Sequence, residues 1–428
     1  MVVLTVLVGL AVLAAFAALH WYAWRRLVRD TTAGPGPARR AGTVVFVAGP
    51  LLMFGALVAE RSGAPFLLQR VLAWPGFMWL AVSLYLLLAL LVGELVRPLL
   101  RRWAQGDTRR ESVPEPVPVP AADVTPDAPS VPEPEPEPAP EPEPAPEPVR
   151  AAPAPSRRLF VSRVVGGTAA AVAAGTVGYG TYGVLRGPKV KRVTVPLAKL
   201  PRGAHGFRIA VVSDIHLGPI LGRGFSQRVV DTVNATQPDL IAVVGDLVDG
   251  SVEDLGPAAA PLAGLRAKHG AYFVTGNHEY FSGAEQWVDH VRELGLRPLR
   301  NARTELPGFD LAGVDDVAGE DEGKGPDFAK ALGDRDRSRA SVLLAHQPVV
   351  IHDAVEHGVD LQLSGHTHGG QLWPGNLVAD LANPTLAGLE RYGDTQLYVT
   401  RGAGAWGPPV RVGAPSDITV VELASRQA

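Results

Sequence analysis

Five short clusters of His, Asp and Asn residues carry most of the chemistry that this chain could perform. The clusters are Ser213-Asp214-Ile215-His216, Gly245-Asp246-Leu247-Val248-Asp249, Gly276-Asn277-His278-Glu279, His346-Gln347-Pro348 and Ser364-Gly365-His366-Thr367-His368. Imidazole and carboxylate groups together suit Mn, Fe, Zn and similar divalent ions. The chain has 0 cysteines, which excludes thiolate metal sites, disulfides and cysteine nucleophiles. We therefore predict that these clusters bind divalent metal ions.

The spacing within the clusters suits a pair of ions. Asp214 and His216 lie two residues apart, and in an extended chain this spacing puts both side chains on one face. His366 and His368 repeat the spacing. One carboxylate, that of Asp246, can bridge two ions about 3.5–4 Å apart. Five further histidines are expected to play ordinary structural roles: His205, His269 and His290, which have no such partners in the sequence, and His352 and His357, which lie in a predicted helix.

Short apolar runs precede the clusters and must position them. They lie at 208–213, 240–244, 271–275, 341–345 and 361–364, and two further runs follow at 397–400 and 418–422. Helical patterns at 225–235 and 284–294 alternate with these runs, which is typical of an α/β domain. Ligands of open α/β sheets bind at the carboxyl ends of the strands. We therefore expect the five clusters to meet at one edge.

The order of the motifs resembles that of the calcineurin-like metallophosphoesterases. The matching motifs are D-x-H, G-D-x-x-D, G-N-H-E, a further His and G-H-T-H, within roughly 208–423. The resemblance implies an α/β fold of two packed mixed β-sheets flanked by helices, with two divalent metal ions at the strand ends. The form S-G-H-T-H-G-G-Q at 364–371 is similar to the bacterial branch of membrane-attached or exported enzymes.

The resemblance also implies roles for single residues. The two ligand sets would share one carboxylate: Asp214, His216, Asp246 and His368 for the first ion, and Asp246, Asn277, His346 and His366 for the second. His278 and Asn277 would be catalytic, and His278 would protonate the leaving oxygen. Asp249 and Glu279 would not bind metal themselves but would orient His278 or the metal ligands.

A complete motif set favours an enzyme over a binding protein. The predicted reaction is hydrolysis of a phosphomonoester or phosphodiester by a hydroxide that bridges the two ions, with a substrate in the cell envelope or elsewhere outside the cytoplasm. The alternative is a membrane receptor or sensor that binds a ligand at the metal domain without turnover, which would not need His278. A transporter is disfavoured because the apolar runs described next contain His20 as their only ionisable side chain. The net charge of −3 gives no basic excess for a nucleic-acid partner.

Three N-terminal runs contain no charged residue, at 1–24, 41–59 and 71–93. About 20 apolar residues suffice for a helix to cross the hydrocarbon core of a membrane. A signal peptide is the alternative for the first run, but no small-residue cleavage site follows Trp24. The runs predict a multi-pass protein of the cell membrane, in contact with the lipid bilayer.

A fourth uncharged run, at 164–185, is richer in Gly, Ala and Thr. The preceding residues Ser156-Arg157-Arg158-Leu159-Phe160-Val161 resemble a twin-arginine export signal, which would make the twin-arginine translocation machinery a partner. The alternative is the ordinary positive flank of a membrane helix. Because no cleavage site follows Leu185, we expect this segment to stay as an anchor.

Basic residues predict the orientation of the spans. Arginines are frequent after the first run, after the third run and directly before the fourth run, whereas the segment after the second run has only Arg61 and Arg70. This bias places the part after the fourth span outside the cytoplasm. The basic residues directly after that span favour the opposite, cytoplasmic placement: Arg186, Lys189, Lys191 and Arg192.

Low-complexity sequence separates the third and fourth runs. Pro and Glu alternate from Pro132 to Pro148, and such a segment is too polar to form a core. The predicted divisions are a three-span membrane region at 1–104, a disordered Pro/Glu-rich linker at 105–156, the twin-arginine-like motif with the fourth span at 157–190, and a metallophosphoesterase domain at 191–428.

Overall fold

Two six-stranded β-sheets form the C-terminal part of the protein. The structure is a computed structural model that describes residues 2–106 and 157–427. In chain order the strands are β1 (Lys189–Leu197), β2 (Phe207–Val212), β3 (Leu240–Val244), β4 (Ala271–Val274), β5 (Arg297–Pro298), β6 (Ala302–Leu306), β7 (Phe309–Gly313), β8 (Ala340–Leu344), β9 (Leu361–Ser364), β10 (Gly388–Tyr392), β11 (Thr395–Val399) and β12 (Asp417–Ser425).

Both sheets are mixed, and the strands that precede the clusters are parallel. The order of the first sheet is β1-β12-β2-β3-β4-β5, and that of the second is β10-β11-β9-β8-β7-β6. Strands β2, β3 and β4 run parallel to one another, as do β7, β8 and β9. Parallel neighbours end at the same edge of a sheet, so this topology brings the clusters together.

The two sheets pack face to face, and helices cover their outer faces. Ile209 and Val244 of the first sheet share one core with Phe309 and Leu344 of the second. Apolar side chains on the opposite face of the first sheet pack against helices, and Trp287 is fully buried there.

In the described part of the chain, seven α-helices accompany the sheets and are numbered after four N-terminal ones. They are α5 (Arg223–Ala235), α6 (Val252–Ala259), α7 (Asn277–Ser282), α8 (Ala284–Glu293), α9 (Phe328–Leu332), α10 (Ile351–Glu356) and α11 (Gly375–Ala382). The predicted architecture of two mixed sheets flanked by helices is confirmed.

Four long apolar helices precede the sheets, as the four uncharged runs predict. They are α1 (Val2–Trp24), which continues as a π-helical segment to Arg29, α2 (Pro37–Arg61), α3 (Phe66–Gly106) and α4 (Arg157–Leu185). By length and composition each can cross a membrane. The part of the twin-arginine-like motif from Arg157 onward forms the start of α4. Apart from the end of α3, the predicted linker at 105–156 lies outside the described residues.

The α/β part packs directly against α3 and α4. Val410 is buried in one cluster with Ala81 and Tyr85 of α3 and with Val177 of α4. Gly180 of α4 makes this approach possible, since a Cβ there would lie 2.7 Å from Cγ1 of Val410. Small residues at helix contacts allow such close packing. The helices α3 and α4 and the α/β part therefore share an apolar interface.

Candidate metal centre

The five clusters converge at one edge of the β-sandwich. Each follows a strand or opens the helix after it: Asp214 and His216 after β2, Asp246 and Asp249 after β3, Asn277, His278 and Glu279 in α7 after β4, His346 after β8, and His366 and His368 after β9. The described side chains form three groups of potential ligands, and within each group the ligand atoms lie within 4.8 Å of one another. One of them, His216, Asp246 and His278, shares residues with each of the other two, which are described below. All seven residues predicted to bind metal lie in this centre.

The backbone at the clusters is left-handed, not extended. Among residues 2–106 and 157–427, eight non-glycine residues have positive φ, and five of them belong to the clusters: Asp214, His216, Asp246, His366 and His368. The extended, same-face geometry expected for Asp214 and His216 is therefore wrong, although both side chains reach one site. Each such conformation costs about 1–3 kcal/mol and is typical of functional sites. Backbone hydrogen bonds hold it, from Asp214 N to Gly245 O (3.1 Å) and from His216 N to Asp246 O (3.2 Å).

The first group contains Asp214, His216 and His368, all buried. Nε2 of His216 lies 3.0 Å from Nε2 of His368, which in turn lies 3.3 Å from Oδ1 of Asp214. Oδ2 of Asp246 is 3.8 Å from Nε2 of His216. The four residues predicted for the first ion thus surround one point.

The second group contains Asp246, His346 and His366. Oδ2 of Asp246 lies 3.1 Å from Nε2 of His346, and Nδ1 of His366 lies 3.0 Å from Oδ1 of Asn277. These are the four residues predicted for the second ion. Asp246 stands between the two groups, the position that a bridging ligand requires.

The pair formed by Asp246 and His346 indicates whether a cation fits. Nδ1 of His346 donates to the carbonyl oxygen of Val244 at 2.8 Å, so a neutral ring turns the lone pair of Nε2 toward Asp246. This buried Nε2 lies 3.1 Å from Oδ2 of Asp246, but among the described residues no contact to it has hydrogen-bond geometry. Burial lowers the pKa of His346, but the charge of Asp246 outweighs it and raises the pKa well above its ordinary value. Metal binding displaces a proton held in this way, so the pair fits a divalent ion.

The protonation states of the other ligands suit metal binding. Burial lowers the pKa of His366 and of His368 to about 4, so both rings are neutral near pH 7. Burial raises the pKa of Asp214, but the charges of His368 and His346 outweigh it and hold the pKa below its usual range. The pKa of Asp246 is likewise low, because His346 outweighs the effect of burial. Neutral imidazoles and ionised carboxylates are the forms that bind metal.

Asp249 orients two imidazoles at once. Its Oδ1 accepts hydrogen bonds from Nδ1 of His216 at 2.9 Å and from Nδ1 of His278 at 2.7 Å. The first bond leaves Nε2 of His216 free to act as a ligand, as carboxylates behind metal-binding histidines do. Burial lowers the pKa of His278, but the bond to Asp249 and its charge raise the pKa to about 9. His278 is therefore protonated at neutral pH.

Glu279 forms hydrogen bonds with backbone N–H groups and not with a histidine ring. Its fully buried carboxylate accepts hydrogen bonds from the N–H groups of Asp246 (3.0 Å), Leu247 (2.8 Å) and Gly276 (2.6 Å). The turn that carries Asp246 is thereby tied to the start of α7. Burial and the charge of Asp246 raise the pKa of Glu279 to about 7. Glu279 thus supports the central carboxylate from behind.

Arg411 is a buried residue of the site that the sequence motifs did not indicate. Its Nη1 donates to the carbonyl oxygen of His368 at 3.0 Å, its Nη2 lies 3.1 Å from Nδ1 of the same residue, and its Nε donates to Gly404 O at 2.7 Å. The guanidinium therefore fixes the loop after His368. Arg411 belongs to no motif and lies 43 positions from His368, so its only signal is a single cation in an apolar, Gly- and Pro-rich segment.

The glycines at 402 and 404 brace the strand end that carries Asp214. Ala403 N donates to Ser213 O at 2.8 Å, and Gly404 N donates to Asp214 O at 2.7 Å. Gly402 has φ of +80°, and a Cβ there would lie 2.5 Å from Cβ of Asp214. Only glycine permits this approach, so the segment supports the centre.

Comparison with known proteins agrees with this geometry. The family profile described as "Calcineurin-like phosphoesterase" matches residues 207–370. A protein of Danio rerio named "Transmembrane protein with metallophosphoesterase domain" is 39% identical over 259 residues, which cover 57% of this chain and 59% of that protein. An uncharacterized metallophosphoesterase of Helicobacter pylori is 40% identical over 247 residues, with coverages of 57% and 66%. Another, of Aquifex aeolicus, is 35% identical over 240 residues, with coverages of 55% and 91%.

The extent of these matches defines what they establish. The chain spans 59% and 66% of the fish and Helicobacter proteins but 91% of the Aquifex protein. Because relatives occur in a fish as well as in bacteria, assignment to a bacterial exported branch stays a prediction. The profile match, the near-complete coverage of one relative and the convergent ligand set lead to one conclusion: the chain belongs to the calcineurin-like metallophosphoesterase family.

Proposed function

We propose that this protein is a membrane-anchored phosphoesterase that hydrolyses a phosphomonoester or phosphodiester with the help of two divalent ions. The observation that carries the proposal is the position of Asp246. Its Oδ2 lies 3.8 Å from Nε2 of His216 in one ligand group and 3.1 Å from Nε2 of His346 in the other. One carboxylate shared by two ligand sets is typical of two-metal hydrolases.

The residues around the ions have distinct tasks in this reaction. Bound divalent ions would polarise the phosphoryl oxygens and generate a nucleophile from water near neutral pH. His278, held at Nδ1 by Asp249, keeps Nε2 as the nitrogen that can protonate the leaving oxygen. Asn277 is the first residue of α7, next to His278, and its side-chain amide can bind a phosphoryl oxygen.

Hydrolysis of simple chromogenic esters tests the proposed activity. The purified full-length protein should hydrolyse bis(4-nitrophenyl) phosphate or 4-nitrophenyl phosphate in the presence of Mn²⁺. Treatment with a chelator followed by its removal should abolish turnover, and Mn²⁺ should restore it, because the ions supply the nucleophile. Full turnover by protein shown to be metal-free would contradict the proposal.

The distribution of arginines supports an α/β domain outside the cytoplasm. Nε of Arg163, near the start of α4, donates to Thr31 O between α1 and α2 at 3.1 Å, so these segments share one end of the helix bundle. That end carries Arg29 and Arg39, whereas the α/β domain follows the opposite end of α4. Cytoplasmic ends of membrane helices are enriched in Lys and Arg. Export by the twin-arginine machinery stays a prediction of the sequence.

Labelling of introduced cysteines tests this orientation. The chain contains 0 cysteines, so a single Ser338→Cys or Ala33→Cys substitution creates a unique thiol at an exposed position. In intact cells a membrane-impermeant maleimide should label Cys at 338 in the α/β domain but not at 33 in the α1–α2 turn. After lysis both should react. The reverse pattern in intact cells would place the α/β domain in the cytoplasm.

A further inference from the structure

The loop after His368 carries an apolar surface that the α/β domain does not cover. It leads through Leu372 and Trp373 into α11, in which every residue is at least partly exposed. The exposed fractions are 51% for Trp373, 61% for Leu377, 71% for Val378 and 89% for Leu381. Side chains of this size that lie together on a surface mark a binding face.

The position of this loop indicates what covers the apolar surface. The hydroxyl of Tyr85 donates to the carbonyl oxygen of Trp373 at 3.0 Å. Tyr85 lies inside the uncharged run of α3, and Leu372 packs against the same cluster of α3 side chains. The loop therefore descends beside helices that can span a membrane. Exposed apolar side chains at that level are suited to contact lipid chains, as those of interfacial helices do.

The mouth of the metal centre is also bounded by the membrane helices. The rings of Phe281 and Trp406 stand edge-on to His278, with centroids 5.7 Å and 5.8 Å away. The guanidinium of Arg61, at the end of α2, lies 5.5 Å over the ring of Phe281. The carboxylate of Glu60 interacts with the side chain of Trp406. Both aromatic side chains at the mouth thus contact the α2–α3 end of the helix bundle.

We propose that the substrate is a phosphate ester attached to an apolar chain and that the enzyme takes it from the bilayer. In this arrangement α11 and Trp373 enter the lipid, and the centre opens at the membrane surface between Phe281 and Trp406. The phosphate group reaches His278 while the apolar chain stays among the lipids. This inference rests on the proposed hydrolase function and adds the substrate class to it.

The depth of α11 in the membrane is measured without reference to activity. Full-length Leu381→Cys protein, which has one thiol because the native chain has 0 cysteines, is labelled with bimane in phosphatidylcholine nanodiscs. Brominated phosphatidylcholine should quench the fluorescence strongly. Leu389→Cys is the matched control, because Leu389 is 38% exposed on β10. Equal quenching at both positions would overturn the membrane assignment. Cross-linking of the Leu381→Cys thiol to a second copy of the chain would also overturn it.

Two chromogenic diesters with the same leaving group test the substrate class. We expect kcat/KM to be higher for hexadecyl 4-nitrophenyl phosphate in phosphatidylcholine vesicles than for ethyl 4-nitrophenyl phosphate in water. Leu381→Asp should lower kcat/KM for the hexadecyl ester about tenfold, because the free energy of burying one leucine corresponds to a factor of about this size. The kcat/KM for the ethyl ester should not change. Leu389→Asp should change neither. Equal turnover of both esters by the native protein, or an equal loss for both in Leu381→Asp, would overturn this inference but not the hydrolase function. Failure to hydrolyse either ester, together with failure to hydrolyse the monoester 4-nitrophenyl phosphate, would overturn both.

Discussion

Replacing Asp246 with asparagine is expected to lower kcat/KM by about 10³-fold or more and to release divalent metal from the full-length protein. Two bound ions would contribute several kcal/mol of transition-state stabilisation, and each 1.36 kcal/mol is about tenfold in rate. Asparagine removes the charge between the two ligand groups. In the native protein the backbone N–H of His278 donates to Oδ1 of Asp246 at 2.9 Å. The NH₂ group of an asparagine at this position would face either that N–H or His346, and it could accept a hydrogen bond from neither. Elemental analysis and turnover of the purified variant measure both effects.

Asp310→Asn is the matched control for this substitution. Asp310 is also fully buried, but it lies on β7 and accepts a hydrogen bond from Nε of Arg339 at 2.8 Å. This variant should melt at a lower temperature because it weakens a buried ion pair, yet it should keep its metal. If Asp246→Asn retained native metal content and turnover, Asp246 would not bridge the two ions.

Replacing His278 with alanine should lower turnover about 10²–10⁴-fold, which is the usual range for loss of a general acid. The variant should keep its metal. The backbone N–H of residue 278 still donates to Asp246 in this variant, so the ligand geometry is preserved. The deficit should be largest for alkyl esters, whose leaving oxygen needs a proton, and small for 4-nitrophenyl esters. Turnover and elemental analysis across such a series separate proton donation from structural damage.

His290→Ala provides the comparison for His278. His290 lies on α8, where its Nδ1 is 3.0 Å from Oε2 of Glu293, and it should be replaceable without effect on turnover. A His278→Ala variant with the same deficit for every leaving group would show that His278 positions the substrate and does not protonate it.

The sheet and the convergence of the clusters could be predicted because each depends on local sequence. Apolar runs such as Leu240–Val244 become strands that are buried throughout, and the polar residues that follow must then lie at the sheet edge. Length and lack of charge likewise suffice for the four apolar helices. Both inferences need only neighbours in the chain.

The features that could not be predicted depend on contacts between distant segments. Asp214 and His216 adopt left-handed backbone because Gly245 and Asp246 accept their N–H groups, which no two-residue spacing reveals. The contact of Glu60 with Trp406 joins a membrane helix to a loop some 350 positions away, and no motif marks either residue. Such contacts arise from tertiary packing, so they become visible only in the folded chain.

The metal content of the native protein is the most direct test of the central claim that two ligand sets share Asp246. The purified full-length chain is depleted of metal, titrated with Mn²⁺ and assayed for turnover at each step. We predict that two equivalents bind per chain and that turnover reaches its maximum only when both are bound. Full turnover with one equivalent, or with none, would contradict the account.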